Sequence, residues 1–253
     1  MSDTQLLLTI TICIFFGLYI LAMLVWGGGF LRPQQVFDML NNNAALIIVA
    51  CSLTIVMICG GIDISVGGVI SLVVMACVVF LESTGNLFVT ILLALGIGLA
   101  FGLVQGFLIA KLEIQPFIVT LAGMFFARGM TTIISINPQK VTHEGFQALM
   151  NARMEMGVVV ALLIVVLVFI MLRKSRLGRN FYAIGGNSQS ALMLGINVQR
   201  TRFIAHLLSS VLAGIAGFVF MMHTGAILCF FILLQSVVLS MRGKRKTTRA
   251  TTK

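Results

Sequence analysis

The sequence is poor in charge, since only 9% of its 253 residues are Asp, Glu, Lys or Arg. A soluble globular domain carries about 25% charged residues, because water must solvate its surface. Apolar residues make up 59% of this chain, and its mean hydropathy is +1.11. The composition excludes a water-soluble globule and indicates that lipid surrounds most of the protein.

Several sequence motifs of catalysis and ligand binding are also missing. The five cysteines form no CxxC pair, which removes the usual signal for a zinc or redox site. Neither the GxxxxGK[ST] phosphate loop nor the HExxH and GxSxG motifs of hydrolases occur. We therefore expect no metal, no cofactor and no catalytic residue, and an intramembrane enzyme is disfavoured.

Apolar runs dominate what is present. A membrane-spanning helix needs about 20 mostly apolar residues, and several of the runs here are shorter, which favours tilted, broken or re-entrant segments. The runs are continuous, unlike the alternating pattern of a transmembrane β-barrel. We predict an all-α, polytopic membrane helix bundle of about eight spans. The predicted segments are 6–26, 44–59, 64–81, 87–110, 117–134, 157–172, 203–222 and 226–241.

The net charge of +10 has a membrane explanation. Lys and Arg lie beside the apolar runs or in the tail at 242–253, so we do not expect a nucleic-acid partner. Cytoplasmic loops of membrane proteins collect basic residues. With eight crossings and an internal N-terminus, thirteen basic residues fall on the cytoplasmic side and four on the other. This distribution predicts that both termini are cytoplasmic.

Small residues recur within two of the runs, where we expect helices to pack closely. We interpret these positions as packing seams rather than binding sites. His206 and His223 flank a predicted span, and we expect both near its interfaces. The small residues are Gly96, Gly98, Ala100, Gly102 and Gly106 in one run, and Ala213, Gly214, Ala216 and Gly217 in the other.

The segment 60–68 (GGIDISVGG) places an acidic residue and two glycine pairs between two apolar runs. Glycine permits unwound backbone, and broken helices with polar groups line substrate paths in transporters. A carboxylate at membrane depth is costly and therefore functional by default. The alternative is a turn at the cytoplasmic interface, in which Asp63 caps the next helix. The residues alone leave both interpretations open.

The loop 173–202 is about 30 residues long and contains a short predicted helix. Asn187 or Ser188 is suited to cap this helix, which runs through Leu194, and Gly195 is suited to end it. A helix of two turns is not stable alone in water, so something must hold it. That support is either a partner protein or the underside of the bundle.

Four stretches in order resemble the sugar permeases of bacterial ATP-binding-cassette importers, in the ribose, galactose and galactofuranose branch. The first, GGIDISVGGVISL, is similar to the GGIDLSVG signature of those permeases. The others are KLEIQPFIVTLAGMFFARG at 111–129, SRLGRNFYAIGG at 175–186 and NSQSALMLGINVQRTRF at 187–203. The resemblance implies a permease domain over 1–241, followed by a basic cytoplasmic tail at 242–253.

The resemblance also implies partners and roles. ATP would be hydrolysed by a separate ATP-binding subunit, and the other partners would be a second permease chain, identical or similar, and a periplasmic sugar-binding protein, in the bacterial inner membrane. The segment 188–195 would be the coupling helix that docks on the ATPase. The implied substrate path is Gly60, Gly61, Asp63, Ser65 and Gly67, and the implied coupling loop is Gly185, Gly186, Asn187, Ser188, Ala191, Leu194 and Gly195.

The chain departs from the family pattern after about residue 226. There the family continues with an acidic ELDAI-like stretch, a Gly-rich segment and further spans, whereas this chain continues into an apolar run and a Lys/Arg/Thr tail. We therefore expect missing C-terminal spans. This departure supports a second hypothesis, in which the chain is a truncated membrane fragment that does not transport.

Overall fold

The structure, a computed structural model, describes residues 3–26, 33–135, 146 and 156–224. Within these ranges the regular elements are helices, and no strand occurs. The helices that lie within these ranges are α1 (Asp3–Trp26), α2 (Pro33–Asn42), α3 (Ala44–Ile58), α4 (Val66–Thr84), α5 (Leu87–Ala110), α6 (Pro116–Ile134), α7 (Met156–Lys174), α8 (Arg176–Gly186), α9 (Ser188–Met193) and α10 (Val198–Thr224).

The chain divides into two compact units, residues 1–42 and 43–253. In the first unit, α1 exposes large apolar side chains along its length, among them Leu8, Phe15 and Leu24. A helix that is apolar all round belongs in lipid or in a core. The second helix of this unit, α2, is short and more polar, and Gln34 Nε2 donates to Asp38 Oδ1 across one turn at 3.3 Å.

Five helices of the described part are long and apolar enough to cross a membrane, namely α4, α5, α6, α7 and the stretch Val198–Met222 of α10. Two shorter apolar helices, Leu8–Leu21 and Ala44–Ile58, accompany them. The predicted helical membrane bundle is confirmed, although the described part does not reach eight spans. The segment 226–241 and the tail lie outside the described residues. The orientation of the termini stays a prediction.

In the second unit, α10 packs closely along α5 at a seam of glycines on α5. A Cβ added at Gly98 would lie 2.6 Å from Ser210 O, and one added at Gly102 would lie 3.0 Å from Leu207 Cα. Gly106 meets the backbone of Phe203 in the same way. These three glycines are four residues apart and therefore share one helix face. Close backbone approach at small residues is how helices associate in lipid.

The predicted seam is thus confirmed at some of its positions and wrong at others. Gly96 has open space around it, and Ala100 is exposed, because both lie two residues away from the packed face. On α10, Gly214 approaches Ala94 O of α5, whereas Gly217 approaches Val73 of α4. The second patch of small residues therefore serves two helix contacts rather than one.

A fold prediction follows from the pair Gly98 and Gly96. Gly98→Ala would push α10 away from α5, and such overpacking costs about 1–3 kcal/mol. Gly96→Ala meets nothing and gains up to about 1 kcal/mol of helix propensity. We expect Gly98→Ala to lower the Tm of the detergent-solubilised protein by about 4 °C, and Gly96→Ala to leave it unchanged or raise it. Equal Tm values for the two variants would contradict the seam.

Candidate functional site

The chain leaves helical structure between α3 and α4, and we call this segment the break. Gly60 has a φ of +78°, a left-handed conformation that favours glycine. Its N–H donates to Met57 O at 3.0 Å, and the N–H of Gly61 donates to Val56 O at 2.9 Å. This pair of bonds is the Schellman arrangement that ends a helix. Residues 59–65 then run without helical structure until Val66 begins α4.

Asp63 lies inside this break and is 6% exposed. Its Oδ1 accepts from the backbone N–H of Ser65 at 3.0 Å and from the Ser65 hydroxyl at 2.7 Å. These bonds form a local turn immediately before α4, close to the capping role that the sequence left open. The carboxylate, however, also bonds across the bundle, and the turn interpretation alone does not account for that.

The long-range partner of Asp63 is Ser209 on α10. Ser209 Oγ donates to Asp63 Oδ2 at 2.7 Å, so its single proton is used there. Ser52 of α3 lies 3.2 Å from Ser209 Oγ and is therefore the donor in that pair. Both serines are fully buried. Both carboxylate oxygens are thus satisfied by the protein, which offsets the cost of burying a charge.

Gln105 on α5 extends this network. The Ser65 hydroxyl lies 3.1 Å from Gln105 Oε1, and because it has one proton it donates either to this amide or to Asp63 at any moment. The buried Nε2 of Gln105 has no hydrogen-bond partner among the described residues and lies against Gly123 of α6. The polar network therefore joins the break to α5 as well as to α10.

His206, also on α10, is 2% exposed, and α10 begins at Val198, ahead of the predicted start of the span. Its Nδ1 has no partner among the described residues, and Nε2 faces Gly61. The expected interfacial position of this histidine stays a prediction. The side chain of His223 lies outside the described residues.

Beside the break lies a pocket of about 120 Å³. Gly60, Gly61, Pro116, Arg202 and His206 are among the residues that line it. Pockets for small organic ligands occupy roughly 300–1,000 Å³, so this one is too small to enclose such a molecule in the present conformation. It contains the guanidinium group of Arg202 and the imidazole ring of His206 beside exposed backbone of the break.

The candidate path residues thus separate into three environments. Gly60 and Gly61 line the pocket, and Asp63 and Ser65 hold the break to α10 and α5. Gly67 is helical and exposed on α4, with open space around it. Its neighbour Gly68 packs against the backbone of Met124 on α6. The second glycine pair therefore belongs to a helix and does not extend the unwound segment.

Several network residues were missed by the sequence reasoning. Ser52, Gln105 and Ser209 are polar residues inside apolar helices, and that was the signal that could have identified them. The bond from Ser209 to Asp63 was not visible, since 146 residues separate the two along the chain. The contacts of Ser52 with Ser209 and of Gln105 with Ser65 likewise join different helices.

The loop 173–202 forms two helices, α8 and α9, that lie against the bundle. Ser175 caps α8 by accepting from Gly178 N–H at 3.0 Å. Asn187 caps α9 by accepting from the N–H groups of Gln189 and Ser190, both at 3.0 Å. Of the two proposed caps, Asn187 is the one used, and Ser188 is the first helical residue.

The short helix α9 is held on one side and open on the other. Ala191 is buried in a cluster with Ile55 and Cys59 of the α3 end and Phe181 and Ile184 of α8. Leu194 ends the helix, and Gly195 follows with a φ of +78°. The three side chains from 192 to 194 are exposed, at 64%, 89% and 78%. The underside of the bundle therefore supports α9, and its apolar outer side lacks cover within the described structure.

Gly185 and Gly186 end α8 and differ in their surroundings. Gly185 lies directly against the backbone of Ile58, at the end of α3, whereas an added Cβ at Gly186 would meet nothing. All seven predicted coupling-loop residues are thus in the described structure, at the end of α8 or along α9.

Comparison with known proteins identifies the family. Residues 35–240 match the model for the branched-chain amino acid transport system / permease component family. The chain is 32% identical to the fructose import permease protein FruG of Bifidobacterium longum, with 88% of this chain and 70% of the relative covered. It is 35% identical, with the same coverage, to the inner membrane ABC transporter permease protein YjfF of Escherichia coli.

A third relative covers less. The ribose import permease protein RbsC of Escherichia coli is 32% identical over 75% of this chain and 62% of its own length. No solved structure matches the chain. The family match continues to residue 240, and the transporter relatives favour the permease over the transport-incompetent fragment.

These comparisons confirm the resemblance to permeases of ATP-binding-cassette sugar importers that the four motifs indicated. With the helices described above, the protein is a multi-pass membrane protein of a transporter family. We conclude that the chain belongs to the branched-chain amino acid transport system / permease component family.

Proposed function

We propose that the chain is the membrane-spanning permease subunit of an ATP-binding-cassette importer that moves a monosaccharide across the inner membrane. The helix break at 59–65, with a buried carboxylate held between α10 and α5, carries this proposal. Unwound backbone inside a membrane bundle is tolerated where it is buried in protein or lines a path. Relatives named as fructose and ribose import permeases support a sugar substrate.

Within this proposal the break has two roles. Gly60 and Gly61 line the inner part of the path, where the 120 Å³ pocket opens further when the complex changes state. Asp63 and Ser65 keep the unwound backbone in place through their bonds to α10 and α5. Gly67 faces the path from the exposed side of α4.

The partners in this proposal are an ATP-binding subunit, a second permease chain and a periplasmic sugar-binding protein. The exposed apolar residues Leu192, Met193 and Leu194 are the docking surface for the ATP-binding subunit. An apolar patch of this kind at the end of a held helix fits a hydrophobic groove on a partner. ATP is hydrolysed in that partner.

The proposal is tested by reconstituting the chain with its cognate partners in vesicles and measuring ATP-driven uptake of radiolabelled ribose, fructose and galactose. We expect uptake of at least one sugar that requires both ATP and the binding protein. An assembled complex that hydrolyses ATP and takes up none of them would refute the sugar-importer function.

A first prediction concerns the Asp63 network. Ser209→Ala removes one of the three donors to the buried carboxylate, and leaving a buried charge short of a partner costs about 2 kcal/mol. We expect a lower Tm of the purified protein and slower uptake. Ser71→Ala is the matched control, because its hydroxyl donates to Gly67 O of its own helix at 3.0 Å and leaves Asp63 untouched. If Ser71→Ala lowers the Tm as much as Ser209→Ala does, the result would contradict a specific stabilising role of the bonds to Asp63.

A second prediction concerns the docking surface at α9. Met193→Asn places a polar group on the most exposed apolar side chain of the patch, and we expect about tenfold weaker binding of the ATP-binding subunit. Met193→Leu keeps the side chain apolar and should bind as the parent does. Binding is measured by titrating the labelled ATP-binding subunit onto the chain in nanodiscs. Equal affinity for both variants would exclude this surface.

A further inference from the structure

The end of α8 meets the end of α3 without side chains between them. Gly185 lies against the carbonyl oxygen of Ile58, and an added Cβ there would also be 3.0 Å from Ile58 C and 3.6 Å from Gly60 N. From the other side, a Cβ added at Gly60 would lie 3.8 Å from Gly185 Cα. The contact is therefore made by backbone on both sides, at the first residues of the helix break.

We propose that Gly185 is a positioning residue that transmits movement of the inner helices α8 and α9 to the broken segment at 59–65. The inference rests on the proposed function, and deepens it by naming one contact that links the ATPase-docking helix to the substrate path. Three features of the structure support it.

The first feature is stiffness. A side chain between two helices absorbs small displacements by changing rotamer, whereas a backbone contact has no such freedom. Gly60 is in the left-handed conformation and ends α3 with two backbone bonds, so the segment that Gly185 touches is itself well defined.

The second feature is the cluster that surrounds the contact. Phe181 and Ile184 of α8 are buried together with Ile55 and Cys59 at the end of α3, and Ala191 of α9 belongs to the same cluster. Because these residues pack together, a displacement of α9 also displaces α8 and the end of α3.

The third feature is position along the chain. The exposed patch at 192–194 follows Gly185 in the chain, on the far side of the Asn187 cap. On the other side of the contact, Gly60 precedes Asp63 by three residues. A partner that moves α9 is thus connected to the polar network through this backbone contact and the cluster around it.

The contact could instead be static packing, and a matched pair of glycines separates these alternatives. Gly96 of α5 is also a helical glycine, and a methyl group there meets nothing. Gly185→Ala and Gly96→Ala therefore both add a methyl group to a helical glycine, and only Gly185→Ala changes the contact with Ile58.

Cys59 provides a direct probe of the break, because it is 4% exposed and adjoins Gly60. In a variant with the other four cysteines replaced by alanine, we would measure the rate of Cys59 alkylation by N-ethylmaleimide in the reconstituted complex, with and without ATP and vanadate. We expect the rate to change between these states by about fivefold or more, the lower end of typical couplings. Gly96→Ala should keep that change, and Gly185→Ala should lose it.

The same complexes give a second readout, the number of sugar molecules taken up per ATP hydrolysed. We expect Gly185→Ala to lower this ratio about fivefold while ATP hydrolysis continues, and Gly96→Ala to leave it unchanged. A Gly185→Ala complex that keeps both the Cys59 response and the uptake ratio would overturn the proposal. So would a Gly96→Ala complex that loses both to the same degree.

If Gly185→Ala does not assemble, Ile184→Val loosens the same contact with less risk to folding, since Ile184 is a buried member of the cluster. Its control is Ile170→Val, at an exposed position of α7. We expect a lower uptake ratio for Ile184→Val alone, and equal ratios for the two would overturn the proposal. Failure of the proposed function is recognised separately, because the parent complex would then take up no sugar.

Discussion

A carboxylate buried among membrane helices must find its hydrogen-bond donors within the protein, because hydrocarbon offers none. Asp63 finds them in Ser65, beside it in the chain, and in Ser209 on α10. This requirement ties the unwound segment to a distant helix and so determines how α3, α4 and α10 meet. The glycine seam between α5 and α10 then brings Gln105 to the same place.

The arrangement separates the groups that hold the break from those that line the pocket. The carboxylate and hydroxyl groups of the break are turned into the bundle, while the backbone of Gly60 and Gly61 faces the pocket with Arg202 and His206. Glycine suits both positions, since it ends α3 in a left-handed conformation and leaves no side chain in the pocket. The helices α8 and α9 reach the same segment through Gly185 and the cluster around Phe181.

Much of this fold could be predicted from local patterns. The bounds of α5 agree with the predicted run, and the break after Ile58, the short helix at α9 and its glycine terminator were all expected. The seam was only partly predicted, because Gly96 and Ala100 were grouped with Gly98 although their spacing places them on another face. The first residues of α10, 198–202, were not predicted as helical, because they are polar and precede the apolar run.

The sequence by itself determined the membrane class, the helical segments, the position of the break and the transporter family. Each of these depends on composition, on apolar length or on residues within a few positions of one another. The tertiary structure alone decided that Ser209 donates to Asp63, that Ser52 donates to Ser209, and that Gly185 touches the end of α3. Those pairings join residues more than a hundred positions apart, and they arise only from how helices cross when small residues let their backbones approach.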